Sequence, residues 1–103
     1  MSNMKCATVF IQMPLNLLGR DVHRLVYRLQ EIKSDVHFRV IGKDDKTDRC
    51  VNAKSLIGMF SAGIEQGADV MISCHHEETE QVRADIKKVV AIINELSVMD
   101  DEL

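Results

Sequence analysis

The stretch from Val51 to Val70 constrains this chain most, because it reads as a short helix delivered through a turn into a strand. Ser55 stands just ahead of Leu56, Ile57, Met59 and Phe60, where a hydroxyl can accept a hydrogen bond from a free amide of the first helical turn. Gly63 and Gly67 suit a backbone that must leave the helix and turn. The residues from Asp69 to Cys74 then alternate in the manner of a half-buried strand. Such a short helix is not stable alone, so the rest of the chain must supply the core beneath it.

That core is visible on both sides of the stretch. From Lys5 to Gln12, Ala7, Val9 and Ile11 alternate with Cys6, Thr8 and Phe10, which predicts a strand with the first set facing inward. Pro14 ends it, and the loop Leu15-Asn16-Leu17-Leu18-Gly19 carries three leucines outside any period. From Arg20, apolar residues recur at Val22, Leu25, Val26, Leu29 and Ile32, the spacing of one helix face, with Asp21 near the positive end of the helix dipole. A second strand is expected from Asp35 to Ile41, a polar turn over Gly42 to Asp48, and a short third strand around Arg49 to Val51. The last helix, Thr79 to Ser97, places Val82, Ile86, Val89, Val90, Ile93 and Leu96 on one stripe and Arg83, Asp85, Lys87 and Lys88 on the solvent side. Residues 98–103 form an acidic tail expected to fray.

The order strand, helix, strand, strand, helix, strand, helix predicts an α+β fold, with an antiparallel sheet of four strands covered on one face by three helices. With 103 residues, 46% of them hydrophobic, the chain can build one core and not two, so residues 1–103 read as a single domain. No apolar run approaches the roughly 20 residues of a membrane-spanning helix. The beginning of the chain lacks an export signal, and Cys6, Cys50 and Cys74 fit neither a disulfide framework nor a CxxC metal pattern. A cytoplasmic protein is the expectation. A net charge of -3 with scattered basic residues gives no footprint for direct nucleic-acid binding.

Chemistry-bearing residues are few. His23 lies on the first helix, His37 on the outward face of a strand, and His75-His76 after the fourth strand; all read as surface histidines. Cys74 beside His75 and His76 has no second ligand pair, so no metal site is expected and Cys74 is assigned to the core. No cofactor is implied. From spacing alone, Ser55 is an N-cap worth about 1 kcal/mol and needs no further role.

The segments Val51-Asn52-Ala53-Lys54-Ser55-Leu56-Ile57-Gly58-Met59 and Gly63-Ile64-Glu65-Gln66-Gly67-Ala68 resemble the regulatory-serine region of Gram-positive HPr proteins, the phosphocarriers of the bacterial sugar phosphotransferase system. The resemblance runs from about Lys5 to Ser97, more weakly in the N-terminal half, where Pro14, Leu17 and Arg20 and the following helix carry it. It implies the HPr open-faced sandwich and no enzymatic activity of the chain itself. The family's loop has the form Gly-Leu-His-Ala-Arg-Pro, with the histidine as phosphoryl acceptor. Here the aligned loop reads Asn16-Leu17-Leu18-Gly19-Arg20-Asp21, so Leu18 occupies the histidine position and Arg20 matches the active-site arginine. Leucine has no lone pair with which to form a phosphoramidate, and Asp21 adds a negative charge nearby. The resemblance therefore implies a relative without carrier activity.

In such relatives the serine matching Ser55 is phosphorylated by an ATP-dependent HPr kinase/phosphorylase, and the product acts with a LacI-type regulator in carbon catabolite control. A constitutive protein-binding domain that has lost both phosphorylation roles is the alternative. In either case a docking surface is expected from Leu15, Leu18, Arg20, Leu56, Ile57 and Phe60, with the loop before the first helix beside the start of the second and Met59, Ala62 and Ile64 pointing inward.

Overall fold

A computed structural model describes residues 3–42 and 49–101. The elements run β1 (Lys5–Gln12), α1 (Arg20–Leu29), β2 (Asp35–Val40), β3 (Arg49–Asn52), α2 (Leu56–Ala62), β4 (Asp69–His76) and α3 (Thr79–Asp101). The class and order are those expected: an open antiparallel sheet of four strands with three helices. The expected turn residues Lys43–Asp48 lie outside the described residues.

The strand order is β1-β4-β2-β3, so the last strand of the chain is inserted between the first and second. Register follows the apolar alternation. Val9 faces Ile72, Val36 faces Cys74 and Phe38 faces Val51, which places these side chains on the helix-covered face. Phe38, Val36, Ile72 and Cys74 are fully buried there. On the opposite face of the central strand, Ser73 is buried as well, between Thr8 of β1 and His37 of β2.

α1 stops at Leu29, a turn before Ile32, yet Ile32 is buried. Beyond Leu29 the chain tightens to bonds three residues apart, from the amides of Gln30, Glu31 and Ile32 to the carbonyls of Tyr27, Arg28 and Leu29. Carbonyls left over at this helix end receive side-chain donors: Gln30 Nε2 reaches the Val26 carbonyl at 3.1 Å, and Lys54 Nζ reaches that of Ile32. The same Gln30 amide also donates to the Lys54 carbonyl at 2.9 Å. The end of α1 is thereby tied to the residue that precedes Ser55.

Three expectations for the last helix need correction. Asp85 is not on the solvent side. It is buried, because its Oδ2 accepts hydrogen bonds from the Ser34 amide at 2.9 Å and the Ser34 hydroxyl at 2.6 Å, while Oδ1 accepts from Gln81 Nε2 at 2.9 Å. A carboxylate with three donors can leave water at tolerable cost. Ile92, outside the expected apolar stripe, is buried, whereas Ile86 and Val90 within it are half-buried. The helix also continues through Asp101, so the stretch expected to fray is helical as far as that residue; Glu102 and Leu103 lie outside the described residues.

Candidate functional site

The site is built around α2. Ser55 adopts an extended backbone (φ -98°, ψ 116°), and its hydroxyl oxygen accepts a hydrogen bond from the Gly58 amide at 3.1 Å, the N-cap read from the sequence. The junction ahead of it is held at each residue. Ala53 N–H donates to the Val36 carbonyl, Asn52 Oδ1 accepts from the Lys54 amide, and Ser55 N–H donates to the Asn52 carbonyl. Gly58 leaves room at the hydroxyl, since a Cβ there would stand only 3.3 Å from Ser55 Oγ. Lys54 precedes Ser55, but its ammonium is engaged at the end of α1.

At its other end, α2 closes on Gly63 in the left-handed region (φ 58°, ψ 48°), whose amide donates to the Phe60 carbonyl. The chain that follows holds the loop after β1. The Met13 amide donates to the Ala68 carbonyl at 2.8 Å, the Gly67 amide to the Met13 carbonyl at 2.7 Å, and the Leu17 amide to the Ile64 carbonyl at 2.8 Å. This clamp sorts the three leucines. Leu15 and Leu17 are buried, while Leu18 is turned outward and is 47% exposed.

Leu15 is therefore a core residue and not part of a docking surface, a correction whose cause is the clamp: backbone bonds at Met13 and at Leu17 hold the loop between them against the core. Leu18 also lies elsewhere than expected. Its Cδ2 comes within 3.8 Å of where a Cβ on Gly63 would be, so it borders the end of α2 and not the start. Ser55 and Leu18 thus stand at opposite ends of the helix, on the order of 12 Å apart along its axis. Between them lie Ile57, 79% exposed, and Phe60, 43% exposed. Leu56 is half-buried against the core, and Met59, Ala62 and Ile64 point inward as expected. Arg20, the first residue of α1, is exposed.

His23 belongs to this surface. Its ring meets Phe60 edge-on, with centroids 5.6 Å apart and planes at 78°. One turn along α1, Tyr27 is 79% exposed. In the sequence His23 reads as an isolated surface histidine; its place at i, i+4 from Tyr27 is a signal for a shared face, but nothing local points to Phe60. The other histidines lie on the strands β2 and β4. His37 and His75 contact each other edge-on, with centroids 5.5 Å apart, on the outward sheet face. Among the described residues no group of three or more His, Cys, Asp or Glu side chains could hold a metal ion. No described helix is long and apolar enough to cross a membrane. Three surface depressions among the described residues, of about 210, 390 and 250 Å³, lie along the sheet and at the β1–α3 margin and involve neither Ser55 nor Leu18. The exposed side chains of Leu18, Ile57 and Phe60 form an apolar ridge over α2, suited to contact with a macromolecule.

The family model described as the phosphotransferase-system HPr component phosphorylation site matches residues 5–92. The chain belongs to the HPr family. Among curated proteins no significant match is found. A solved structure of the phosphocarrier protein HPr from Bacillus anthracis str. Ames superposes with a TM-score of 0.68 at 21% identity, covering 84% of this chain and 95% of that one. HPr-C-His from Thermoanaerobacter tengcongensis gives a TM-score of 0.55 at 25% identity, covering 87% and 96% respectively. HPr proteins are phosphocarriers that work with the partner proteins of the phosphotransferase system, and the open sheet with its three helices is their fold.

Proposed function

We propose that this HPr-family chain is a regulatory protein without phosphohistidine carrier activity, working through phosphorylation of Ser55 and through protein contacts made by Leu18, Arg20, Leu56, Ile57 and Phe60. The observation that carries the reading is the α2 ridge, with an outward-facing leucine at one end, a hydroxyl at the other and exposed apolar side chains between. Leu18 has no atom that can accept a phosphoryl group. Ser55 Oγ accepts one hydrogen bond and keeps its own proton and a lone pair, and a phosphate on it would sit at the favourable end of the α2 dipole. The modifying enzyme would be an HPr kinase/phosphorylase, and the reader a LacI-type regulator of carbon catabolite genes in the cytoplasm. A second reading, a constitutive docking domain, is favoured by the capping bond itself, which gives Ser55 a structural reason to be there.

One experiment with two arms tests this. With ATP and a Gram-positive HPr kinase/phosphorylase, intact mass spectrometry should show a single added phosphate that the Ser55→Ala variant does not acquire. With phosphoenolpyruvate and the general phosphotransferase enzyme, no label should appear. An unchanged mass in the first arm favours the constitutive domain. Acid-labile phosphate on any histidine in the second overturns the loss of carrier activity.

A further inference from the structure

The uncovered face of the sheet carries imidazoles for which the α2 ridge has no use. His37 of β2 and His75 of β4 both lie on it, since Val36 and Phe38 on one strand and Ile72 and Cys74 on the other are buried beneath the helices. In the register between these strands His37 faces Ser73 and Asp35 faces His75, so the two histidines are diagonal neighbours. Their rings meet edge-on, with centroids 5.5 Å apart and planes at 77°. Both residues are half-buried. The remaining two histidines are engaged elsewhere: His23 lies against Phe60, and His76 Nδ1 accepts a hydrogen bond from the Glu78 amide at 3.0 Å. His37 Nδ1, by contrast, is buried and has no hydrogen-bond partner among the described residues.

A buried polar nitrogen without a partner calls for an explanation. Because no hydrogen bond at Nδ1 fixes the tautomer or the orientation of this ring, turning it about its broad χ2 angle breaks none there. Neutral imidazole is a borderline ligand that suits zinc, copper and nickel and not magnesium or calcium. With zinc–nitrogen bonds of about 2.0–2.1 Å, two imidazoles on one tetrahedral ion stand roughly 5 Å apart between centroids. His37 and His75 are already near that separation, on the two central strands of the sheet.

We infer that His37 and His75 form a site for a divalent transition-metal ion of the zinc type, with the two imidazoles as its protein ligands and water in the remaining positions. Cys6 and Asp35 face His75 from β1 and β2, but among the described residues they do not converge with the pair into a group of three ligands, so the site is open on its solvent side. Asp35 and Arg39 flank His37 two positions away on the same face with opposite charges. Ion choice therefore rests on the imidazoles and not on the local field. Bound there, the ion clips β4 to β2, and because His37 and His75 meet only in the folded sheet, binding stabilises the fold.

Zinc added to the full chain tests this, with Cys6 and Cys50 changed to Ser so that exposed thiols do not compete. Calorimetry should show one ion per chain, and the melting temperature should rise with zinc concentration. His37→Gln and His75→Gln should each weaken binding by about tenfold or more, since a direct ligand counts for no less than the groups that support one. His76→Gln should bind as its parent does. Long-range proton–nitrogen NMR should show the ring nitrogens of His37 and His75 shifting with zinc while those of His23 and His76 stay in place. That readout needs no histidine variant, so it decides the matter even where a glutamine variant fails to fold. No binding at about 1 mM zinc, binding that survives either His37→Gln or His75→Gln in a folded protein, or nitrogen shifts at His75 and His76 without His37 would each overturn the proposal.

Discussion

Cys74 and Cys6 lie on neighbouring strands, one register position apart, and their thiols meet opposite surroundings. Cys74 is fully buried, and burial together with the nearby Asp85 charge pushes its thiol up to about 12. Cys6 and Cys50 are exposed. Since the thiolate is the reacting species, a maleimide added to the folded protein at mildly alkaline pH should modify Cys6 and Cys50 and spare Cys74 until denaturant is added. Rapid labelling of all three by mass spectrometry would contradict the assigned core. The alternation from Asp69 to Cys74 already placed Cys74 inside. For Leu15 and Leu18 no period exists to sort them, and the long-range backbone bonds at Met13 and Leu17 do so.

At the scale of elements, α3 is fastened to the turn after α1 by the buried Ser34–Asp85 pair. Burial alone would raise the Asp85 pKa, but the Ser34 hydroxyl and amide, the Gln81 amide and the positive charge of Lys88 outweigh it and hold the carboxyl below its ordinary 3.8. A depressed carboxyl stabilises the fold above its unfolded pKa, and that contribution is lost as pH falls through the lower folded value. Urea unfolding of the parent should therefore weaken with acid from the ordinary carboxylate range downward, and Asp85→Asn should lack that component. Asp85→Ala, which orphans the buried Ser34 groups, should cost about 1–3 kcal/mol at neutral pH. Equal stability of parent and Ala variant would show the pair to be incidental. Helical spacing could not reveal it, because Asp85 sits amid charged residues and its partner is 51 positions away.

For the molecule as a whole, one face of the helical layer holds the core and α2 carries a ridge that the core does not need. Changing Ile57 and Phe60 together to Ser should lower stability by no more than about 1 kcal/mol, as expected for exposed positions, whereas Leu15→Ala should cost about 2–5 kcal/mol. If the ridge is the docking surface, the double variant phosphorylated on Ser55 should lose binding to a LacI-type regulator by calorimetry while keeping its melting temperature. Collapse of the fold would mean that the ridge is core after all; unchanged binding would move the interface elsewhere.

Whatever depends on residues a few positions apart is legible in the chain alone: the alternation of β1 and β2, the amphipathic face of α1, the Ser55 cap and the Gly63 exit from α2. Those features arise from backbone sterics and local hydrogen bonds, which the neighbouring residue types specify. Tertiary structure alone decided the insertion of β4 between β1 and β2, the burial of Leu15 and Asp85, and the meeting of His23 with Phe60. Each joins groups far apart in the chain, whose approach is set by closing the whole core and not by any local preference.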